Sequence, residues 1–579
     1  MSVSAFPIAP EIAVDGRPLP DGLAVLSVEV DRSLNLIGRA TLRFLESGFD
    51  LTAQPKFSLG TEVAIKVYDG PTIFTGLVTG FSIDQDNEGP AGTVLTVTVD
   101  DHGAKLTRST THQALLQQTY SAALGSVIAQ TGMTSSVSDL STVEPYILQS
   151  GTPLAFLDWV CSRNALQWWV EDNKVTVEPA GTSSATVPLE LGKDLMRLST
   201  RASDRHPGAV KVTGWDTAQQ QQFESIADTV ESPESPLVAG VPGRTSASGT
   251  VTVPGLALTT GEADSVGKSL LAYATSAAVT TRGTAWMTPA LKPATTVEIS
   301  GAGPASGSYF VTRVVHSYTT SGFFTRFTAG PLKPESLVAL LGSTPPTGGA
   351  TYGGLTTAVV SDLNDDQNQG RVKVRLSLVG TGVVSEWARV LTLGGGANRG
   401  VVFHPEVGDE VLVGFENGDT RRPVVLGGLF SDRNTRPSTD NVRSGAVAYR
   451  RITSRLGHIV ELFDGDQPAE QYVQLKTKSG HYVKVAEDKL ELKADGKPVS
   501  ITNGSATIQF SDSGDVTLEG ANVTIKAQGS LKLEGTEVGV KGSATTKVEG
   551  SVVDVKASTA GTIDGGSALA VKGGTVAIN

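Results

Sequence analysis

The stretch HPEVGDEVLVGFENGDTRRPVVLGGLF, residues 404 to 430, predicts a tight β-hairpin. Its two valine-rich runs flank Asn417-Gly418, a dipeptide that favours the left-handed backbone of a hairpin turn. The preceding run RVKVRLSLVG alternates aliphatic with basic or small residues and predicts a half-buried strand. Together with SEWARVLTLGGG, about five strands in about eighty residues fit a small closed barrel of the OB kind. The residues expected to face the core from the first run are Val372, Val374, Leu376 and Leu378.

The composition of the 579-residue chain favours a mainly β protein of about three or four domains. It contains 65 glycines and 28 prolines, which punctuate short runs rich in valine and threonine. The 47 basic and 59 acidic residues give a net charge of −12, a sign that repels nucleic acid and anionic membranes. We therefore expect no nucleic-acid partner. The single cysteine excludes an intrachain disulfide framework and a thiol cluster for zinc.

The N-terminal segment MSVSAFPIAPEIAV has neither the basic start nor the long apolar core of a secretory signal. Nowhere in the sequence do about eighteen apolar residues follow one another, as a membrane-spanning helix requires. We expect synthesis in the cytoplasm, with no signal peptide and no transmembrane segment.

The region from residue 1 to 340 alternates strand-like runs, such as TVLTVTVDD, with two helical intervals at 119–133 and 152–172. Both intervals place apolar residues three and four apart, as on one face of a helix. The strand-rich parts on either side suit a pair of small β-barrels. Cys161 lies in the second interval among apolar residues, and we interpret it as a core residue because a reactive thiol needs an electropositive setting and a base.

After this region, the proline- and glycine-rich stretch GSTPPTGGATYGG (342–354) predicts a linker. The predicted domains are a two-lobed region (1–340), the linker (341–354), the OB barrel (355–432), a neck of strands with alternating charge (433–497) and a repetitive segment (498–579).

Three segments carry a resemblance to a known family. GGLTTAVVSDLNDDQNQGRVKVRL, EWARV and HPEVGDEVLVGFENGDTRRPVVLGGLF resemble, in order and spacing, the OB module of VgrG-type spike proteins of contractile injection systems. Upstream, SYFVTRVVHSYTTSGFFTRFTAG and the interval with AFLDWV resemble the hub half of that family more loosely. The resemblance covers most of the chain.

This resemblance implies a homotrimeric spike at the tip of a phage tail, a type VI secretion system or an extracellular phage-tail-like particle. The implied hub presents two similar barrels per chain, so that three chains offer six near-equivalent positions to a hexameric tail-tube protein. The implied partners also include baseplate proteins, a PAAR-type tip protein at the C-terminal end and possible effector cargo. The spike would be assembled into the particle, propelled out on contraction and driven through a target membrane.

The C-terminal segment contains a repeat of seven or eight residues with a small residue two places after each aliphatic position. A strand of about five residues followed by a tight corner fits this spacing. The aliphatic positions, predicted to form the trimer core of a shaft, are Leu518, Ile525, Leu533, Val540, Val548, Val555, Ile563, Val571 and Ile578.

A single ribbon of this kind is too thin to bury both faces or to pair both edges. Three chains wound about one axis into an intertwined β-helix would solve both problems, because each strand then pairs with neighbouring chains. Burying one aliphatic side chain contributes about 1.5 to 3 kcal/mol, and successive turns add along the axis. A β-solenoid built from one chain is the alternative, but units of seven or eight residues are short for a three-sided coil.

The search for a catalytic site gives no strong candidate, and we expect neither an enzyme nor a cofactor. No G-x-S-x-G or H-E-x-x-H motif occurs. His404 and Glu406 could form an acid-base pair, but a turn histidine is the better interpretation. GEADSVGKSLL (261–271) fails as a phosphate loop, because five residues separate its glycines where four are required and Glu262 and Asp264 repel phosphate.

The best metal hypothesis is DLNDDQNQG (362–370), where Asp362, Asn364 and Asp366 alternate as in the start of a calcium loop. The glycine comes too late and no glutamate closes the loop, so a solvated acidic turn before Arg371 is favoured. An ion on the shaft axis is left open.

The sequence therefore predicts a structural spike that is not an enzyme. One alternative is a spike that carries a hydrolase effector, although the repeat runs to Asn579 with no added domain in view. The other is a trimeric adhesin, whose N-terminal half would bind a receptor instead of a tube and baseplate.

Overall fold

A computed structural model of the chain describes residues 8–19, 24–46, 57–85, 93–203, 207–217, 219–229, 249–332, 353–380, 382–437 and 441–578. Most of the predicted linker at 341–354 lies outside these residues. The chain divides into two compact units, Met1–Arg436 and Pro437–Asn579. Strands predominate in the first unit and in the N-terminal half of the second.

The first unit contains a 13-stranded sheet formed from both ends of the predicted two-lobed region. The pairing of Val30 with His316, and of their neighbours along both strands, joins segments almost three hundred residues apart in the chain. The N-terminal strands are β1 (Glu11–Val14), β2 (Arg17–Pro18), β3 (Ala24–Ser33), β4 (Arg39–Glu46), β5 (Glu62–Lys66), β6 (Thr72–Asp84) and β7 (Thr93–Asp100).

The second part of this region contributes the other strands of the 13-stranded sheet and a separate three-stranded sheet covered by a helix. Its elements are β13 (Thr186–Glu190), β14 (Leu195–Ala202), β15 (Ala209–Asp216), β16 (Gln221–Ala227), β17 (Thr250–Ala257), α3 (Thr260–Ser276), β18 (Val279–Trp286), β19 (Thr296–Ser300), β20 (Gly307–Thr319) and β21 (Gly322–Ala329).

Two apolar cores pack against the 13-stranded sheet. Alternating residues of the N-terminal strands, such as Val97 and Val99, form one core, and residues such as Val297 and Val311 form the other. This alternation is the period of two that a half-buried strand requires. The structure thus has two strand-rich lobes connected through β3 and β20, while closure of each lobe into a barrel stays a prediction.

Between the lobes lies the helical part, and its second helix is shorter than predicted. The elements are β8 (Thr111–Thr119), α1 (Tyr120–Ala129), β9 (Thr134–Val137), β10 (Val143–Gly151), α2 (Pro153–Arg163), β11 (Leu166–Glu171) and β12 (Lys174–Pro179). The prediction of helix to residue 172 was wrong. Ala165 takes a left-handed backbone (φ 52°) that ends the helical path, and the following Trp168 and Val170 are buried in a strand paired with β12. Cys161 is buried in the α2 core, as predicted, and burial raises the pKa of its thiol.

The predicted OB barrel is a five-stranded sheet in the order β23-β22-β25-β26-β24. Val372, Val374 and Leu376 are fully buried, as predicted. The prediction for Leu378 was wrong: its side chain is 71% exposed, because the strand ends at Arg375 and the chain turns. The strands are β22 (Thr356–Asp362), β23 (Lys373–Arg375), β24 (Arg389–Val390), β25 (Glu410–Phe415) and β26 (Pro423–Gly428).

The second unit contains a five-stranded antiparallel sheet and a three-stranded antiparallel sheet, both made of sequential strands. No strand is assigned after residue 519 within the described part of the chain, which extends to residue 578. The elements are β27 (Val442–Arg443), β28 (Ala446–Val447), β29 (Tyr449–Thr453), β30 (Ile459–Phe463), β31 (Tyr472–Lys476), β32 (Tyr482–Ala486), β33 (Leu490–Lys493), β34 (Val499–Asn503), β35 (Ala506–Phe510) and β36 (Val516–Glu519).

Candidate functional site

The hairpin at 404–430 forms a joint between the OB barrel and the rest of the first unit. Its turn contains Asn417 and Gly418, both with positive φ (52° and 75°), as the dipeptide predicts. Asn417 packs against Gly255, where an added Cβ would come within 2.6 Å of the Asn417 side-chain nitrogen. Nearby, the Arg422 guanidinium donates a hydrogen bond of 2.6 Å to the carbonyl oxygen of Trp215. The turn therefore fits directly against the β15–β17 layer.

A group of four charged residues lies at the centre of this joint, of which Arg421 is buried and the other three are partly buried. Arg421, in the hairpin turn, is 8% exposed and forms ion pairs with Glu262 (2.9 Å) and Asp419 (2.8 Å). Glu262 lies in the first turn of α3, and its carboxylate also binds Arg163 from the last turn of α2. Three elements distant in sequence thus meet at one carboxylate. We call Arg163, Glu262, Asp419 and Arg421 the charged joint.

The local sequence places Glu262 where its carboxylate can bind both arginines of the charged joint. Thr259 caps α3 by accepting a hydrogen bond of 3.2 Å from the amide nitrogen of Glu262. The Glu262 carboxylate in turn accepts a hydrogen bond of 2.7 Å from the amide nitrogen of Leu258, which holds the carboxylate at the start of the helix. The segment that fails as a phosphate loop is therefore the N-terminal half of a helix, which the sequence did not reveal.

In Glu262, Asp419 and Arg421, the charged partners outweigh the effect of burial on the pKa. Burial opposes the charged form of Glu262, but the Arg421 and Arg163 guanidinium groups outweigh it and lower the pKa of the carboxyl group. Burial likewise opposes ionisation of Asp419, yet its hydrogen bond from Arg421 leaves the pKa below the ordinary value. For Arg421 itself, burial is outweighed by Glu262 and Asp419, which raise its pKa. A buried ion pair adds little net stability, because desolvation roughly offsets the attraction, but removal of one partner is costly.

The joint also has an apolar part. Tyr146 and Leu148 of β10 are almost fully buried and pack in the same cluster as the barrel core. The barrel residues in this cluster include Val360, Val372, Val374, Leu376, Val411, Val413 and Val425. Because a strand from the preceding region completes part of the OB core, the barrel packs against that region and is not a separate domain on a linker.

In the second unit, one face of the five-stranded sheet consists of exposed aliphatic side chains, apart from the exposed Arg450, which pairs in register with Leu462. The strand registers place Ile452, Val460, Leu475, Val483 and Leu492 in one transverse row. A second row contains Leu462, Val473, Val485 and Leu490. These nine side chains are between 38% and 73% exposed. We call this surface the neck face. Contiguous exposed apolar surface of this extent marks an interaction site.

On the opposite face of the same sheet, aromatic and charged side chains contact one another. Tyr449, Phe463 and Tyr472 form a ladder with ring centroids 4.4 and 5.2 Å apart. Glu461 is 4% exposed, accepts a hydrogen bond of 2.8 Å from the Tyr472 hydroxyl and pairs with Arg451. The two faces therefore differ clearly in chemistry, and it is the neck face that lacks cover in a single chain.

The three-stranded sheet repeats this division. Ile501, Ile508 and Leu518 lie in register on one face and are 37% to 55% exposed, whereas Ser500, Gln509 and Thr517 lie on the other. Leu518 is also the first of the nine predicted shaft positions. The aliphatic face of folded sheet thus continues directly into the repeat.

The nine predicted shaft residues are all exposed in the single chain, from 50% for Leu518 to 88% for Ile578. Their place in a trimer core stays a prediction. The sequence-based prediction missed a second aliphatic row. Each of its residues precedes a shaft position by two places and therefore points to the same side of an extended chain. A V-x-I or L-x-L pattern in most units was the available signal. The second row contains Val516, Val523, Leu531, Val538, Val553, Leu569 and Val576, which are 48% to 64% exposed.

The weaker candidates from the sequence do not come together as a catalytic site. His404 and Glu406 are both exposed, and His404 packs against Gly370 in the turn. Asp362 accepts hydrogen bonds from the backbone and side-chain nitrogens of Asn364 (2.9 and 3.0 Å). Among the described residues, no group of three or more His, Cys, Asp or Glu side chains could hold a metal ion.

The acidic turn before the barrel strand is organised by Asp365 rather than by the predicted calcium ligands. The Asp365 carboxylate accepts from the amide nitrogens of Gln367, Gln369 and Arg371 and pairs with the Arg371 guanidinium at 2.6 Å. The hydrogen bond from the Arg371 side chain holds the pKa of Asp365 well below its usual range. The sequence favoured a solvated acidic turn, but the Asp365 side chain that organises this turn is buried.

Comparisons with known proteins give two family matches. The model for the type VI secretion system/phage-baseplate injector OB domain matches residues 356–430, and the model for the Alg8 N-terminal domain matches residues 5–320. The type VI secretion system spike protein VgrG5 of Pseudomonas aeruginosa is 40% identical over 93 residues. That alignment covers 14% of this chain and 12% of the relative, so only a small part of the relative is matched.

Two solved structures have a similar chain path. One is the c3393 protein of E. coli, described as a component of the type VI secretion system that is structurally similar to the T4 tail proteins gp27 and gp5. It is 16% identical with a TM-score of 0.49, over 72% of this chain and 100% of that one. The other is a Francisella PdpA-VgrG complex, 8% identical with a TM-score of 0.49, over 89% of this chain and 81% of that one. In the described residues of this chain, no helix has the length and hydropathy needed to cross a membrane.

Replacing Arg421 by methionine should destabilise the first unit by about 3–5 kcal/mol, because Glu262 and Asp419 would stay buried without their shared partner. All six tryptophans precede residue 388, so denaturant unfolding followed by tryptophan fluorescence reports on this unit. The matched control is Arg326→Met, which removes an exposed pair with Glu29 and should cost less than about 1 kcal/mol. Equal losses in the two variants would contradict a special role for the charged joint.

The joint should also make stability depend on pH at the acid side. Folding lowers the pKa of Glu262 and of Asp419, so their contribution is complete above their unfolded values and is lost as pH falls through the folded ones. We expect the parent's free energy of unfolding to fall more steeply below about pH 4.5 than that of Arg421→Met. Denaturant titrations at a series of pH values would measure this, and parallel curves would disprove it.

Proposed function

We propose a mechanical function for this chain, which belongs to the Alg8 N-terminal domain family and is a VgrG-type spike protein of contractile injection systems. Three copies form a spike at the tip of the machine, and contraction drives the spike through the target membrane. The observation that carries the proposal is the exposure, in a single chain, of the aliphatic rows of the neck face, of the three-stranded sheet and of the repeat up to Ile578.

The physical reason for several copies is that this surface cannot be covered from within one chain. The five-stranded and three-stranded sheets each have a single aliphatic face, and each uses its other face for polar or aromatic contacts. After residue 519 the described chain makes no strand pairing, so both backbone edges and the aliphatic rows need partners. Further copies of the chain carry the same aliphatic surface and can cover it. Three copies arranged around an axis would bury their aliphatic rows against one another.

In this proposal the first unit acts as the hub. The two lobes joined by β3 and β20 give each chain two strand-rich bodies, so a trimer presents six to a hexameric tail-tube protein. The charged joint keeps the OB barrel in a fixed orientation on this hub, which suits a part that must transmit force without bending. Baseplate proteins, a PAAR-type tip protein and effector cargo are the further partners of the proposed assembly.

Replacing Ile525 by aspartate should prevent formation of a stable trimer, because three carboxylates would meet in the dry axis at a cost of several kcal/mol. The matched control is Thr524→Asp, since Thr524 is the adjacent residue and points to the opposite side of an extended chain. Sedimentation of the parent and both variants gives the oligomeric state. A trimeric, equally heat-resistant Ile525→Asp variant would disprove the shaft core.

Leu475→Cys should give disulfide-linked dimers on mild oxidation of the trimer. Leu475 lies on the central strand of the neck face, so its copies should approach one another around the axis. Lys476→Cys is the control, because Lys476 is also exposed but points to the other face of the same strand. The native Cys161 is buried and should not interfere. Equal cross-linking of both variants on non-reducing gels would exclude an inward neck face.

A further inference from the structure

The C-terminal repeat carries a second pattern besides its aliphatic rows. In each complete unit, the residue directly after the aliphatic shaft position is charged, and the sign alternates from unit to unit without exception. All eight of these side chains are exposed in the single chain. In order along the chain they are Glu519, Lys526, Glu534, Lys541, Glu549, Lys556, Asp564 and Lys572.

We propose that this alternating charged row is the surface on which the three copies recognise one another's register. The inference rests on the trimeric shaft of the proposed function and names how its chains are aligned. Because successive side chains of an extended strand point to opposite sides, a row that follows the aliphatic row by one residue faces outward when the aliphatic row faces the axis. The charges would therefore remain in water, where they cost no desolvation.

The alternation fits the way three ribbons must stack. If each chain moves to the next side of the shaft with each unit, then the strand lying on a given unit is the following unit of a neighbouring copy. Adjacent strands are about 4.8 Å apart, close enough for cross-strand pairs of side chains. Glu519 of one copy would then lie against Lys526 of the next copy, and Lys526 against Glu534. Every contact along the shaft joins opposite signs.

A repeat needs such a device because its aliphatic rows are nearly the same in every unit. A chain shifted by one unit would still bury valine, leucine and isoleucine, so the apolar contacts scarcely oppose the shift. The same shift places like charges against each other in every layer. Each exposed pair contributes little, but the penalty is repeated along the shaft and in all three chains. A shift of two units restores the signs, and there the non-repeating neck face opposes it.

Two local ion pairs determine how the experiment must be designed. Glu549 contacts Lys547, and Lys556 contacts Asp554 at 3.0 Å; the members of each pair are two residues apart in the chain. Substitutions at these units would disturb contacts within the chain. By contrast, the residues two places before Lys526 and Asp564 are Thr524 and Thr562, which are uncharged. Exchanging the charges at these two positions therefore changes mainly the contacts between copies.

The test compares two variants of the full chain with the parent. The first, Lys526→Glu with Asp564→Lys, keeps the numbers of acidic and basic residues and the net charge, but places like signs next to each other at four steps of the row. The second exchanges the sign of every charged residue from 519 to 572 and so keeps the alternation. Both replace Asp564, whose carboxylate accepts a hydrogen bond from the Gly566 amide, so loss of that bond is common to both.

The measurement is the temperature at which the trimer dissociates, at low salt and in 1 M sodium chloride, where charges are screened within about 3 Å. We expect the first variant to dissociate several degrees below the parent at low salt and to match it at high salt. We expect the inverted variant to match the parent under both conditions. Tryptophan fluorescence, which reports on the first unit alone, should be the same in all three.

Two results would overturn the inference while leaving the trimer intact. One is a first variant as heat-resistant as the parent at low salt. The other is a loss that persists in 1 M salt, or that the inverted variant shares, because then the order of the charges is not the cause. A parent that sediments as a monomer would instead disprove the proposed function on which this inference stands.

Discussion

The aliphatic surface of the second unit is the constraint on which this protein depends. Rows of valine, leucine and isoleucine side chains are exposed to water here, and the described residues of the same chain do not cover them. In the first unit, sheets and helices cover one another within a single chain, as the apolar cores on both sides of the β3–β20 connection illustrate. In the second unit, the five-stranded sheet and the three-stranded sheet each have an aliphatic face that the same chain leaves exposed. In the proposed assembly, the first unit is covered within one chain, whereas the second unit is covered by copies of itself.

The charged joint shows how a β-rich protein can hold two of its parts in a fixed orientation. Removing Arg421 and Glu262 from water is costly, and their attraction roughly offsets that cost, so the net gain in stability is small. The ion pairs instead orient three elements relative to one another, because α2, α3 and the hairpin turn must all meet at the Glu262 carboxylate. The apolar contacts of Tyr146 and Leu148 supply stability at the same place. The hairpin is thus a structural joint rather than the wall of a pocket.

Local patterns allowed much of this fold to be predicted, and long-range contacts account for what could not be. The Asn417-Gly418 turn, the buried Val372 and the repeat can each be recognised from a pattern of a few neighbouring residues. The strand at Leu166–Glu171 was missed because its two tryptophans also fit a helical spacing, and only pairing with β12 decides between them. The helix at Thr260–Ser276 is rich in small residues and has a weak apolar stripe. The meeting of Glu262 with Arg421, 159 residues away, has no local signature.

Stability and alignment place opposite demands on a repetitive shaft. Uniform aliphatic rows give every layer the same favourable contact, which makes the whole resistant to unfolding but insensitive to a shift of one unit. Information about register must then come from features that differ between neighbouring units or that occur once. A row of alternating charge differs between neighbours, and the neck face with its strands of unequal sequence occurs once. Because exposed charges interact weakly, each pair adds little to the stability of the finished shaft, but many pairs together can favour one alignment of the copies.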